Sequence, residues 1–263
     1  MKVYKIMNVR NFYQEGKHLP EMHRDILGEE FVFQLDFWKS IELIELAERL
    51  ELKKNCSVLD IGTGWGGPLS LFAERYGIVG DGIDLSEYNI NIARKHANDC
   101  NVSDKINFYL CDVNNFETKR EYDFIIMLDS LVHIENKKRL MKKCYRMLSE
   151  AGKILIAVEC ANKNISKEEM QKRNDLGAVY TESIEDYRST FLEQGFEIEY
   201  SEEYSGKRSE FAEKALLWME IIAKGMPIEQ VQKILGHEQI DTTLRYAMVN
   251  QNNVKMSHRK YIS

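Results

Sequence analysis

Apolar positions along this chain change period several times, and those changes predict its elements. Residues 35–50 carry Phe37, Ile41, Ile44 and Ala47 on one stripe, widened by Leu43, Leu46 and Leu50, with charges opposite; this predicts an amphipathic helix. After polar residues 53–55, the short β-prone run 57–61 stops at Gly62-Thr63-Gly64-Trp65-Gly66-Gly67, the pattern of a strand, a tight turn and a helix. The alternation continues with a helix over 69–76, a strand over 78–83, a helix over 86–100 and strands over 106–110 and 122–128. A helix over 137–148, a turn at 149–152 and a strand over 153–158 complete it.

Parallel strands need crossover elements between them, so this order predicts an α/β fold, a Rossmann-like parallel sheet with helices on both faces. Ligands of such sheets sit at the carboxyl ends of the strands, which singles out the loops beginning near residues 60, 84, 112 and 128. Residues 160–195 are charged and helical and predict a lid, followed by a strand-like run at 195–200 and a helix over 209–224. The texture changes at Gly225-Met226-Pro227.

Composition narrows the function classes. The 263 residues, 44% hydrophobic and 30% charged, suit one main globular domain. With 36 Lys and Arg against 42 Asp and Glu, the net charge of −6 argues against nucleic acid or an anionic membrane as the main partner. No apolar run approaches the roughly 18 residues that span a bilayer, and the first 16 residues lack a signal peptide's apolar stretch, so a cytoplasmic location is expected. Cys56, Cys100, Cys111, Cys144 and Cys160 are scattered without a C-x-x-C pair, which predicts neither structural zinc nor a disulfide framework; no metal is expected.

Gly62, Gly64 and Gly67 satisfy G-x-G-x-x-G, which admits a dinucleotide such as NAD. Asp60, however, stands two residues before the first glycine, and a carboxylate there would repel a pyrophosphate at a helix N-terminus. It suits a cation better, and S-adenosylmethionine carries an ammonium and a sulfonium. Asp84, closing the next strand, is placed to accept from ribose hydroxyls, and Asp112, closing the one after, from an adenine amino group.

At these residues the chain resembles the class I S-adenosylmethionine-dependent methyltransferases. Val58-Leu59-Asp60-Ile61-Gly62-Thr63-Gly64-Trp65-Gly66-Gly67 looks like their first motif, Gly82-Ile83-Asp84-Leu85-Ser86 like their ribose acid, and Cys111-Asp112-Val113 like their adenine contact. The resemblance covers roughly residues 30–200. It implies S-adenosyl-L-methionine as cofactor, held by Asp60, Gly62, Gly64, Gly66, Asp84, Leu85, Asp112, Val113 and Leu128.

Asp129 and His133 are four apart in Asp129-Ser130-Leu131-Val132-His133, so on one helical turn they would share a face and could hydrogen-bond. Tyr13 lies in Phe12-Tyr13-Gln14-Glu15-Gly16, on a segment that could fold over the cofactor. These pieces resemble the phosphoethanolamine methyltransferases and related small-amine N-methyltransferases. The resemblance implies catalytic roles for Tyr13, Asp129 and His133, with the tyrosine and histidine closing the site and assisting deprotonation. That family's phosphate contacts have only a partial match in Ala178-Val179-Tyr180-Thr181, where no arginine precedes the tyrosine. An acidic lid with Tyr180, Glu182, Glu185, Asp186 and Tyr187 would tolerate a cationic or neutral amine.

Residues 225–263 resemble the C-terminal end of tyrosine recombinases of the phage-integrase family. Leu235-Gly236-His237 is followed by Thr242-Thr243-Leu244-Arg245-Tyr246-Ala247, which matches His237 and Tyr246 to the family's histidine and nucleophile. No H-x-x-R precedes them to clamp a phosphate, and five basic residues against three acids make a small excess for DNA binding.

The expected organisation is a methyltransferase domain over 1–224, with lid elements at about 1–30 and 160–192, and a small helical recombinase-like remnant over 225–263. The expected function is S-adenosylmethionine-dependent methylation of a small-molecule nucleophile, an amine nitrogen first. An NAD-dependent oxidoreductase, or a DNA-binding or interaction role of the tail, are the alternatives. Membrane is not an expected partner and nucleic acid is disfavoured, while a homodimer contact is one role open to the tail. Acceptor identity, and whether nitrogen, oxygen or sulfur is methylated, stay open at this level.

Overall fold

A computed structural model describes residues 19–214 apart from 162, 163, 178, 205, 207–209, 212 and 213. Tyr13, the first part of the N-terminal lid and the whole tail, with His237 and Tyr246, lie outside the described residues, as does most of the helix expected over 209–224. The described chain divides into two compact units, one of residues 42–201 and one of residues 19–41 and 202–214.

The larger unit is built on five strands, β1 (Ser57–Ile61), β2 (Val79–Asp84), β3 (Ile106–Leu110), β4 (Tyr122–Leu128) and β5 (Leu148–Ala157). They form one parallel sheet in the order β3-β2-β1-β4-β5. The helices are α1 (Leu19–Leu27), α2 (Ser40–Arg49), α3 (Gly67–Tyr76), α4 (Glu87–Asp99), α5 (Lys137–Met147), α6 (Lys167–Gly177) and α7 (Ile184–Glu193). A short parallel pair, β6 (Cys160–Ala161) with β7 (Glu182–Ser183), brackets α6.

Alternation along β2 explains the two covered faces. Gly80 and Gly82 point to the α3 and α4 side, where an added Cβ would come within 2.8 Å of Leu69 and 2.7 Å of Phe108. On the other face Leu59, Ile61, Ile83, Ile125 and Met127 pack with Leu140, Met141 and Cys144 of α5 and Tyr187 of α7. The α/β class and the doubly covered parallel sheet are therefore as the periodicity predicts.

Three local expectations are corrected. The helix expected over 35–50 is α2, which begins at Ser40 and buries Leu43, Leu46 and Ala47, with Leu50 buried just after it and Ile41 exposed. Ahead of it the buried Gln34 side chain holds an irregular loop, accepting from Val32 N–H and donating to the carbonyls of Glu30 and Trp38. The turn expected at 149–152 is part of β5, where the register with β4 shifts between Tyr122 and Phe124. At Gly152 a side chain would press on the Tyr122 carbonyl at 2.9 Å. Residues 196–200 form no strand; Glu199 instead pairs with Lys153 of β5 at 2.7 Å, and Phe196 packs edge-on against Tyr145. Within the segment expected as a lid, α7 carries Tyr187 into the core.

Candidate active site

The turn after β1 is tied to β2 by Gly62 and Thr63 N–H groups, both donating to the Ile83 carbonyl at 2.9 and 3.0 Å. Gly62 has φ +77°, and a Cβ there would collide with Ser130, whose hydroxyl donates to the Ile61 carbonyl at 2.6 Å. Glycine is thus required where the turns after β1 and β4 touch. Gly66, at φ +73°, caps the N-terminus of α3, and a Cβ would come within 2.8 Å of Phe108 and 2.9 Å of Ala93. Its role here is helix-to-sheet packing, and Gly67 is already the first residue of α3.

Asp60 is 4% exposed and accepts one bond, from the Thr63 hydroxyl at 2.7 Å. Burial, with a smaller contribution from the neighbouring Asp84 charge, pushes its carboxyl up to about 7 against the lowering effect of Thr63. Asp84 closes β2 and is held by three donors: Gly64 N–H at 2.9 Å, Ser86 N–H at 2.8 Å and the Asn89 amide at 3.3 Å. Burial is the larger influence and still raises its carboxyl above the ordinary range. The Asn89 Oδ1 is buried without a hydrogen-bond partner.

Asp112 follows β3, and its Oδ1 accepts from the Asn114 backbone and side chain at 2.8 and 3.0 Å. Leu85 is exposed beside Asp84, Val113 packs into the core and Leu128 is the buried last residue of β4. Asp60, Gly62, Gly64 and Asp84 are therefore gathered in one place, with Asp112 at the end of the adjoining strand.

Asp129 takes φ +54°, and its N–H donates to the Ala157 carbonyl at 2.9 Å. A 3-10 turn covers only Leu131–His133, and His133 is exposed. Asp129 thus precedes the turn, and the helical face that spacing alone gives the pair is replaced by a left-handed residue followed by a tight turn. Beside it, Tyr180 N–H donates to the Val132 carbonyl at 2.7 Å, bringing a 42% exposed tyrosine to the same lip. Glu135 is exposed nearby in sequence, and Glu182 is partly exposed.

Sequence reasoning missed Thr63, Asn89, Ser130 and Lys137. Thr63 and Asn89 lie three and five residues from the acids they bond, so local spacing could have found them. Ser130 and Lys137 act on residues 69 and 43 positions away and left no local signal. No group of three or more His, Cys, Asp or Glu among the described residues could hold a metal ion. No described helix is long and apolar enough to cross a membrane.

A family model described as “Methyltransferase domain” matches residues 52–215. Phosphoethanolamine N-methyltransferase of Plasmodium falciparum is 34% identical over 138 residues, 50% of this chain and 51% of that protein. Phosphoethanolamine N-methyltransferase 3 of Arabidopsis thaliana is 34% identical over 140 residues, 51% of this chain and 27% of the relative. The chain thus matches about half the length of these curated relatives, or less. Among solved structures, Haemonchus contortus phosphoethanolamine N-methyltransferase 2 in complex with S-adenosyl-L-methionine superposes with a TM-score of 0.70 at 20% identity, covering 98% of this chain and 57% of that one. A methyltransferase of Geobacter sulfurreducens in complex with S-adenosyl-L-homocysteine gives 0.59 at 20% identity, covering 88% of each chain.

Proposed function

This chain belongs to the methyltransferase-domain family, and we propose that it transfers a methyl group from S-adenosylmethionine to the nitrogen of a small amine. Asp60 carries the cofactor reading. The Asp60 carboxyl, raised to about 7 by burial, would have to stay protonated beside a pyrophosphate, whereas an approaching ammonium would restore its charge and pair with it. That disfavours NAD at the same turn.

The residues present fit the cofactor. Asp60 would face the ammonium, Asp84 would accept from ribose hydroxyls and Asp112 from the adenine amino group, with Gly62, Gly64 and Gly66 shaping the turn and Leu85, Val113 and Leu128 lining the site. When bound, S-adenosylmethionine supplies a methyl group on a sulfonium that loses its charge on transfer. The protein's own work is to orient the amine, exclude water and remove a proton from the nitrogen. His133 is the group we assign to that proton, and Asp129, which precedes its turn, and Tyr13 are the further catalytic residues that the family resemblance implies.

The acceptor reading rests on the lip beside His133, where Tyr180 stands exposed and the residues just before it in sequence supply no arginine for a phosphate. Such a surface favours a cationic or neutral amine over a phosphorylated one, and the relatives' phosphoethanolamine is the alternative to test. Labelled S-adenosylmethionine should be incubated with the full chain and ethanolamine, phosphoethanolamine, a phenol and a thiol, with detection by mass. Methylation of an amine is the expected result. Transfer only to the phenol or thiol, or no calorimetric binding of S-adenosylhomocysteine, would overturn the proposal.

A further inference from the structure

Lys137 is an unexpected residue for its place. It is the first residue of α5, with Lys138 and Arg139 following, at the end of a helix where the macrodipole disfavours cations. It is also 3% exposed, and burial lowers its ammonium pKa from the ordinary lysine value, with Glu182 acting the other way. Neither the helix dipole nor solvation explains an amine there.

Its contacts do. The Lys137 Nζ donates to the Ile134 carbonyl at 3.1 Å and to the Tyr180 carbonyl at 2.6 Å, and lies 3.6 Å from a Glu182 carboxylate oxygen. It sits 5.8 Å from the Tyr180 ring centroid and 5.7 Å from that of Tyr187, within cation–π range of both. One ammonium therefore joins the loop just after His133 to the segment between α6 and β7.

The same segment is held at each successive amide. Tyr180 N–H donates to the Val132 carbonyl, Thr181 N–H to the Asn174 side chain at 3.2 Å and Glu182 N–H to the Tyr187 hydroxyl at 3.3 Å. Asn174 returns a bond to the Thr181 carbonyl at 3.0 Å. Lys137 is the one charged group in this set that is buried, and it reaches both sides of the junction.

We propose that Lys137 is a positioning residue that anchors residues 180–182 against the His133 loop and so sets the affinity for the amine acceptor. The consequence for the acceptor rests on the function proposed above; the anchoring itself does not. Truncating the ammonium to a methylthio group in Lys137→Met keeps the stem's bulk and removes all three polar contacts.

The test compares full-length wild type with Lys137→Met by amide hydrogen exchange, calorimetry with S-adenosylhomocysteine, and kinetics with ethanolamine and with phosphoethanolamine. Exchange at residues 180–182 should accelerate by roughly tenfold or more, as loss of charge-assisted bonds implies, with the β1 and β4 amides unchanged. KM for the methylated amine should rise while kcat at saturation and S-adenosylhomocysteine affinity stay near wild type, a split that general loss of stability would not give. Unchanged exchange at 180–182, or parallel loss of S-adenosylhomocysteine affinity and kcat, overturns the proposal. If wild type methylates neither amine, the functional reading fails and exchange alone decides the anchor. Should Lys137→Met not fold, Glu182→Gln, at a partly exposed partner, must accelerate exchange at the same three amides; no change there is equally decisive against it.

Discussion

The Asp84 carboxylate at the end of β2 accepts the Gly64 N–H at 2.9 Å, so this acid and the glycine turn are parts of one hydrogen-bonded unit. Gly64 reaches it with φ +54°, and Ser86 N–H and the Asn89 amide hold the other carboxylate oxygen at 2.8 and 3.3 Å. Three donors fix the carboxylate and leave acceptor capacity for a hydroxyl, because an ionised carboxylate has about four lone-pair sites.

Replacing that carboxylate by an amide turns an NH2 toward backbone donors. Asp84→Asn should weaken S-adenosylhomocysteine binding by about 10–100-fold, as loss of bonds to a charged group implies, with the far-ultraviolet circular dichroism unchanged. Calorimetry reads the affinity, and wild-type affinity in the variant would remove Asp84 from the site.

Asp60 makes stability and binding respond to pH in opposite directions. Its folded value of about 7 lies above the ordinary 3.8, so folding holds a proton that the unfolded chain releases in that interval. The ligand-free protein should lose about 2 kcal/mol of stability between pH 5 and 8, most of it below 7, and Asp60→Asn should flatten that slope in urea titrations. Binding of a cation favours the ionised form, so affinity for S-adenosylmethionine should rise over the same interval with proton release. Calorimetry in two buffers of different ionisation enthalpy detects the proton; uptake instead of release would contradict the assignment.

Gly66 separates packing from ligand approach in the glycine turn. A methyl group there meets Phe108 and Ala93 below 3.0 Å and imposes a left-handed conformation on a residue with a side chain. Gly66→Ala should cost about 2–4 kcal/mol, combining backbone strain with overpacking. Chemical denaturation measures it, and a cost below about 0.5 kcal/mol, the range of ordinary surface changes, would show that the helix can shift to make room.

What could be read from the chain follows from how locally each feature is determined. The strands were legible because Val58-Leu59 and Phe124-Ile125-Ile126-Met127 are continuous apolar runs, as buried parallel strands must be. Asp60, Asp84 and Asp112 could be singled out because each lies at or just beyond the carboxyl end of a strand, the edge where ligands of parallel sheets sit. The start of α2 was not, since Gln34 overrides the helical stripe by capturing backbone groups on both sides of the loop. The strand expected at 195–200 fails for a similar reason: its alternation is satisfied by a side-chain contact, Glu199 to Lys153, without a backbone ladder. Lys137 was invisible because its partner Tyr180 lies 43 residues away and three successive basic residues at a helix start read as a solvated face.

His133 supplies the sharpest test of the proposed chemistry. It stands exposed at the end of the 3-10 turn, within reach of solvent and of whatever binds at the lip formed with Tyr180. A group that only accepts a proton from the attacking nitrogen contributes to the transition state and little to cofactor binding. His133→Ala should therefore lower kcat by about 100- to 10,000-fold while S-adenosylhomocysteine affinity holds. Steady-state kinetics measure the fall in kcat and calorimetry the affinity, and a variant as active as wild type would assign the proton to another group, with Tyr13→Phe the next substitution to make.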